Sequence, residues 1–316
     1  MKIFDIFQSD KKHRKGLLPL EWIVVAYTLL TTLWILFAYT ELHNPVALLL
    51  GRAKVMLIMG AMWLVYRLLP CRLVMLVRVG VQMALLAWWY PDTYELNRFL
   101  PNLDHLFAAY DQALFGFQPA LRFSQWAHWP LVSELMDMGY ASYYPMMVVV
   151  LLFYFFCRYK EFQQCATILI GSFFIYYVVF DFLPVVGPTF YYKAVGLESI
   201  AQGVFPALGD YFNTHQGCLP SPGYTDGIFY QAVEQAKAAG ERPTAAFPSS
   251  HVGISTICML LAWHSRQHKL VWFLLPFYVL LCFATVYIQA HYAVDALAGL
   301  LTGGLIYLFF HLFLKS

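Results

Sequence analysis

Charge is the scarcest thing in this sequence. Asp, Glu, Lys and Arg make up 12% of its 316 residues, roughly half of what a soluble protein carries. That scarcity excludes a pair of soluble domains, which the length alone would allow. The few charges nearly cancel, 20 Lys and Arg against 18 Asp and Glu, and they form no basic stripe. Nucleic-acid binding is thereby excluded. Cysteine is rare too: Cys71, Cys157, Cys165, Cys218, Cys258 and Cys282 show no metal-ligand spacing. Cys218 alone stands in a long polar loop, with no second loop cysteine to pair with. Packing cysteines are expected, with no metal site and no disulfide framework. The first apolar run, about Leu17 to Tyr39, is too long for a secretory signal and lacks a small-residue cleavage site. It is expected to remain as an uncleaved span.

What is abundant is apolar: 60% of residues are hydrophobic and the mean hydropathy is +0.59. The composition predicts an all-α, polytopic membrane helix bundle. Spans are expected at about 17–39, 54–69, 73–89, 138–156, 165–186, 249–263, 270–287 and 292–313, eight in all. Residues 1–72 form a basic N-terminal segment with two accessory helices, and residues 73–316 a six-helix core. Within that core, 91–137 is aromatic and mixed, suited either to interfacial helices or to a packed loop. Residues 187–248 read as a polar loop of some sixty residues, a length uncommon unless it works as a lid or binding surface. With the N-terminus inside, every short inner connection is basic: 11–15, Arg67 with Arg72, Arg158 with Lys160, Arg266 with Lys269, and Lys315. The N-terminus is therefore expected in the cytoplasm.

Two stretches bracket the last three spans. Phe247-Pro248-Ser249-Ser250-His251-Val252-Gly253 opens the sixth, and His291-Tyr292-Ala293-Val294-Asp295 opens the eighth. An up-and-down path returns His291 to the face where His251 began, the periplasmic, extracellular or lumenal one. His291 and Asp295 are four apart and share a helix face, so the carboxylate can fix one imidazole tautomer and free the other nitrogen as a nucleophile or base. On these two residues alone, a structural pair at a helix end reads equally well. Pro248-Ser249-Ser250 is a helix-start signal, and a helix N-terminus seats phosphate. His251, in the first turn, would face the same anion.

Pro248-Ser249-Ser250-His251 resembles the Pro-Ser-x-His motif of the type 2 phosphatidic acid phosphatase superfamily, and His291 to Asp295 its His-x-x-x-Asp motif. The aromatic after His291 and the trailing Ala298-Gly299 are most similar to the lipid phosphotransferase branch, with its inositol phosphorylceramide and sphingomyelin synthases. Asp111-Gln112-Ala113-Leu114-Phe115-Gly116 and Pro184-Val185-Val186-Gly187-Pro188 resemble segments that precede the core in that branch. The resemblance implies a phosphohistidine mechanism that needs no cofactor. His291, held by Asp295, attacks a lipid phosphate, and His251 protonates the departing alcohol. Ser249 and Ser250 hold phosphate oxygens. The partners implied are a phospholipid donor and a lipid alcohol acceptor within the bilayer.

The sequence departs from the phosphatase pattern. Ala284 and Thr285 stand where Ser-Arg is usual, and the lysine and Arg-Pro of the first motif are missing. Lys193 and Arg242 are the candidate replacement cations, with Asp181 and Tyr191 as further candidates for the same cavity. Tyr192 and Tyr224 belong to the same tyrosine-rich surface. Since a phosphomonoester dianion wants several cationic donors, the losses favour head-group transfer over a lipid or polyprenyl phosphate phosphatase. A proton-coupled transporter is a third reading, disfavoured because the ionisable residues cluster at one face.

Overall fold

The computed structural model describes residues 6–7 and 15–314. Of the basic cluster, Lys15 is included; residues 11–14 and Lys315 lie outside the described residues. Fourteen α-helices and no strand occur among the described residues. In order they are α1 Pro19–Phe37, α2 Pro45–Leu68, α3 Arg72–Asn97, α4 Asp104–Phe115, α5 Pro119–Trp126, α6 Pro130–Ala141 and α7 Tyr143–Cys157. They continue with α8 Tyr159–Phe182, α9 Pro188–Val195, α10 Leu197–Ala201, α11 Ile228–Gly240, α12 Ser250–His264, α13 His268–Tyr287 and α14 Ala293–Phe313.

Six of these helices, α1, α2, α3, α8, α13 and α14, are long and apolar enough to cross a membrane. The pair α6–α7, bent by 47°, would make a seventh. The predicted sixth span is α12, whose 15 residues extend about 22 Å, short of a full bilayer core. This is a polytopic helical bundle and an integral membrane protein. The apolar side chains of Leu297, Leu301, Leu305, Leu308 and Leu312 on α14 are exposed, as a lipid-facing surface requires.

The chain divides into two compact units, residues 1–96 with 151–178 and residues 97–150 with 179–316. In the first unit, two buried ion pairs account for where the helices begin and end. Arg52 forms an ion pair with Asp92 at 2.8 Å, and its Nε donates to Thr31 Oγ1 at 3.0 Å. Arg78 Nε donates to Glu21 Oε1 at 2.6 Å, and Glu21 also accepts the Leu18 N–H. The expected start of the second span, near Lys54, therefore falls nine residues late. With Arg52 neutralised inside the protein, α2 begins at Pro45, capped by Asn44. Likewise α3 does not stop at Trp89; it continues through Pro91 to Asn97, carrying Asp92 to its arginine.

In the second unit, glycine sets how closely helices approach. A Cβ on Gly299 would lie 2.5 Å from the Ser249 carbonyl oxygen, and one on Gly303 2.5 Å from that of Gly253. The four-residue spacing on both helices thus brings α12 and α14 into backbone contact. Gly139 does the same for α6, where a Cβ would meet the Leu280 backbone of α13 at 2.7 Å. The central helix is α12, buried along Val252, Ile254, Ile257, Cys258 and Leu261. The stretch 187–248 is more regular than a loop, since it contains α9, α10 and α11. Glu134 of α6 accepts the Phe229 and Tyr230 N–H groups and so caps α11.

Candidate active site

The two sequence motifs meet at the N-terminal ends of α12 and α14. Their backbones are joined directly, because the Ser249 N–H donates to the Asp295 carbonyl at 3.0 Å. Ser249, the N-cap of α12, is fully buried and its hydroxyl accepts the Val252 N–H. His251 follows in the first turn. Its Nδ1 lies 3.3 Å from Nε2 of His291. On the other side its ring stacks on Tyr140 at 4.7 Å between centroids and tilts against Tyr143 at 4.4 Å. The dyad is walled by aromatic rings from the α6–α7 bend.

His291 Nδ1 is 2.8 Å from the carbonyl oxygen of Ala246. A carbonyl can only accept, so Nδ1 carries the proton and Nε2 keeps its lone pair. His251 Nδ1 must then donate to that lone pair. Burial pushes the His291 imidazole down to about 4, opposed by the bond to Ala246. Its neutral form therefore dominates across the physiological range.

Asp295 is 3.7 Å from His291 Nδ1, beyond a hydrogen bond. The expected carboxylate–imidazole bond is made by the Ala246 carbonyl instead. Asp295 Oδ2 accepts the Tyr292 N–H at 2.9 Å, reaching back from the first turn of α14. Asp111 completes this cap, its two oxygens accepting the Ala293 and Val294 N–H groups at 2.9 Å each. Burial raises Asp111 to about 6 against the pull of those two donors.

A further carboxylate that the sequence did not single out, Asp104, stands behind the dyad. It is fully buried and accepts four bonds. The donors are Asn102 Nδ2 at 2.7 Å, Val186 N at 2.7 Å, Gly187 N at 2.9 Å and the Tyr292 hydroxyl at 3.0 Å. Gly187 has φ +90°, and a Cβ there would sit 2.6 Å from the Ala290 carbonyl, so no other residue fits beside the His291 turn. Two non-glycine residues flanking the site, Ala245 (φ 68°) and Gln289 (φ 64°), are also left-handed. Such strain, about 1–2 kcal/mol each, persists where the surroundings over-determine the backbone.

The remaining candidates are not gathered on the histidines. Lys193 Nζ donates to the Cys218 carbonyl and Arg242 to Gln216 Oε1. Tyr191 is buried with its hydroxyl on the Pro206 carbonyl. Tyr192, equally buried, donates to Gln118. Asp181 is buried in the last turn of α8. Ser250 stands half-buried at the start of α12, beside His251. Among the described residues no arginine or lysine hydrogen-bonds to either histidine, and no group of three or more His, Cys, Asp or Glu could hold a metal ion.

The sequence signal missed Asp104, the Tyr140 and Tyr143 walls, and the Ala246 carbonyl. Asp104 was visible as a carboxylate in a charge-poor chain; a backbone carbonyl leaves no sequence signal. No curated protein and no solved structure matches the chain. The family model described as the PAP2 superfamily matches residues 105–309, well over half of the chain, and spans both histidine motifs and Asp111. The chain belongs to the PAP2 superfamily, a group of phosphatase and phosphotransferase-type lipid enzymes.

Proposed function

We propose that this protein moves a phospho-head group from a phospholipid donor to a lipid alcohol through a phosphohistidine on His291. The observation that carries the reading is the state of that imidazole. Nδ1–H is tied to the Ala246 carbonyl, and the Nε2 lone pair points at His251. The phosphoryl group takes the place of the His251–His291 hydrogen bond. Nε2 forms a bond to phosphorus while the bond from phosphorus to the donor's lipid oxygen breaks. His251, protonated beside the bound phosphate anion, gives its proton to that oxygen, a step typically worth about 10²–10⁴-fold. The acceptor alcohol then loses its proton to His251 and attacks phosphorus, which releases His291. Asp295, at 3.7 Å, offsets the positive charge on the ring while it carries the phosphoryl group. Ser249, Ser250 and the free N–H groups of the first turn of α12 hold the phosphate oxygens.

Transfer is favoured over hydrolysis of a phosphomonoester because Lys193 and Arg242 are engaged elsewhere. A phosphodiester monoanion needs fewer cations than a dianion. The resemblance to inositol phosphorylceramide synthases favours phosphoinositol as the head group and a sphingolipid-type acceptor. The basic inner connections favour a cytoplasmic N-terminus, with the site on the external or lumenal face.

The test uses purified protein in lipid nanodiscs with a panel of phospholipid donors, with and without a ceramide or diacylglycerol acceptor. Acceptor-dependent head-group transfer, lost in His291→Ala, is the expected result. Free phosphate released regardless of acceptor would assign the phosphatase reaction. Consumption of donor by His291→Ala at the parent rate would end the phosphohistidine reading.

A further inference from the structure

The geometry points to Asp104 as a positioning residue that fixes the tautomer of His291 without touching it. This rests on His291 being the nucleophile and says how that nucleophile is prepared.

The path is continuous. Asp104 Oδ2 accepts the Val186 N–H at 2.7 Å, and Oδ1 accepts the Gly187 N–H at 2.9 Å. That segment presents the Val185 carbonyl to the Ala246 N–H at 2.9 Å. The Ala246 carbonyl, on the same residue, accepts from His291 Nδ1 at 2.8 Å. A second arm runs from Asp104 Oδ1 to the Tyr292 hydroxyl at 3.0 Å, on the residue next to His291. The segment has little freedom to drift between these anchors. The Leu103 N–H holds the Pro184 carbonyl, the Thr189 N–H holds the Gln289 carbonyl, and Gly187 sits against Ala246 and Ala290.

The chemistry of Asp104 suits this task. Burial pushes its carboxyl upward, and the bonds from Val186, Asn102, Gly187 and Tyr292 oppose that push. Four donors occupy the four lone-pair positions of a carboxylate, so protonation would remove one of them. The ionised form is selected, and charge-assisted bonds make it a stiffer anchor than a neutral group. Asp111 provides the contrast. Among the described residues it accepts from the Ala293 and Val294 N–H groups of α14, with no arm to residues 185–187 or Ala246.

An Asp104→Asn side chain keeps the shape but turns one oxygen into an amide that faces an N–H donor. The 185–187 segment then recedes, the Ala246 carbonyl follows, and Nδ1–H loses its acceptor. Nitrogen-detected NMR of histidine-labelled protein in nanodiscs, with the His291 signals assigned by their loss in His291→Gln, reads the tautomer without turnover. The parent is expected to show a single Nδ1–H tautomer at His291. Asp104→Asn is expected to show a mixture, with kcat lower by about 10²-fold and KM little changed. Asp111→Asn is expected to lower the thermal midpoint while the tautomer stays as in the parent. Tyr292→Phe, which removes one donor from Asp104, should shift the tautomer in the same direction by less, and it decides the matter if Asp104→Asn does not fold. An unchanged tautomer in a folded Asp104→Asn, or in Tyr292→Phe where that variant must stand in, would overturn the inference. So would a kcat loss in Asp104→Asn with the tautomer intact. Activity surviving in His291→Ala would instead overturn the nucleophile reading and leave the tautomer result standing.

Discussion

The two compact units bury carboxylates in opposite ways. In the N-terminal unit Glu21 and Asp92 each meet an arginine, Arg78 and Arg52, and the charges cancel within the helix packing. In the unit that carries the dyad, Asp104, Asp111 and Asp295 meet backbone N–H groups, an amide and a hydroxyl. An arginine pair settles the charge of two side chains, and its one carboxylate contact to backbone, Leu18 N–H to Glu21, lies at the start of its own helix. A carboxylate that accepts N–H groups fixes the backbone itself, and here it fixes the turns on either side of His291. The first arrangement lets helices carry charge through a bilayer, while the second builds a site.

Substitutions in each unit separate the two roles. The largest effect is expected for His291→Ala, which removes the proposed nucleophile and should take transfer to background, a loss of about 10⁴-fold or more, with folding retained. His251→Ala should cost about 10²–10⁴-fold in kcat, and acceptors or donors with better leaving alcohols should narrow the loss. In the other unit, Arg78→Ala leaves Glu21 buried without its cation. A destabilisation of about 3–5 kcal/mol is expected in thermal or denaturant unfolding, with the rate per folded molecule unchanged. A catalytic loss there, without a stability loss, would break the distinction between the two units. Smallest of all, Ala245→Gly relieves a left-handed alanine at φ 68° and should be neutral to stabilising by about 1 kcal/mol.

pH provides a further test. The folded His291 imidazole lies near 4, below its ordinary 6.5, so the folded state favours the neutral ring. Its contribution to stability is complete above pH 6.5 and is lost as pH falls from there through 4. The acid side of phosphohistidine formation should follow the same limb, surviving at pH 5 where a solvated imidazole would be mostly protonated. A midpoint at 6.5 in a pre-steady-state pH profile would show that His291 is not held neutral by burial.

The membrane class and the dyad were legible because both have local signatures. Apolar runs of helical length mark spans, and Pro-Ser-Ser-His and His-x-x-x-Asp each mark a helix start. The start of α2 was not legible, since Arg52 reads as a break until its partner Asp92, forty residues away, is seen. The helices inside 187–248 were obscured by glycines and prolines that mark their ends, not their absence. Sequence spacing proposed Asp295 as the partner of one His291 nitrogen, because four residues along a helix bring two side chains together. The Ala246 carbonyl took that place through a contact across forty-five residues that no side-chain pattern encodes.

Trapping the covalent enzyme tests the phosphohistidine most directly. Protein in nanodiscs is mixed with a donor labelled in its head-group phosphate, quenched at alkaline pH to protect a phosphoramidate, and mapped by mass spectrometry. A labelled head group is expected on His291, discharged by adding the acceptor alcohol and absent from His291→Ala. Turnover with no adduct, or an adduct on another residue that survives in His291→Ala, would contradict it.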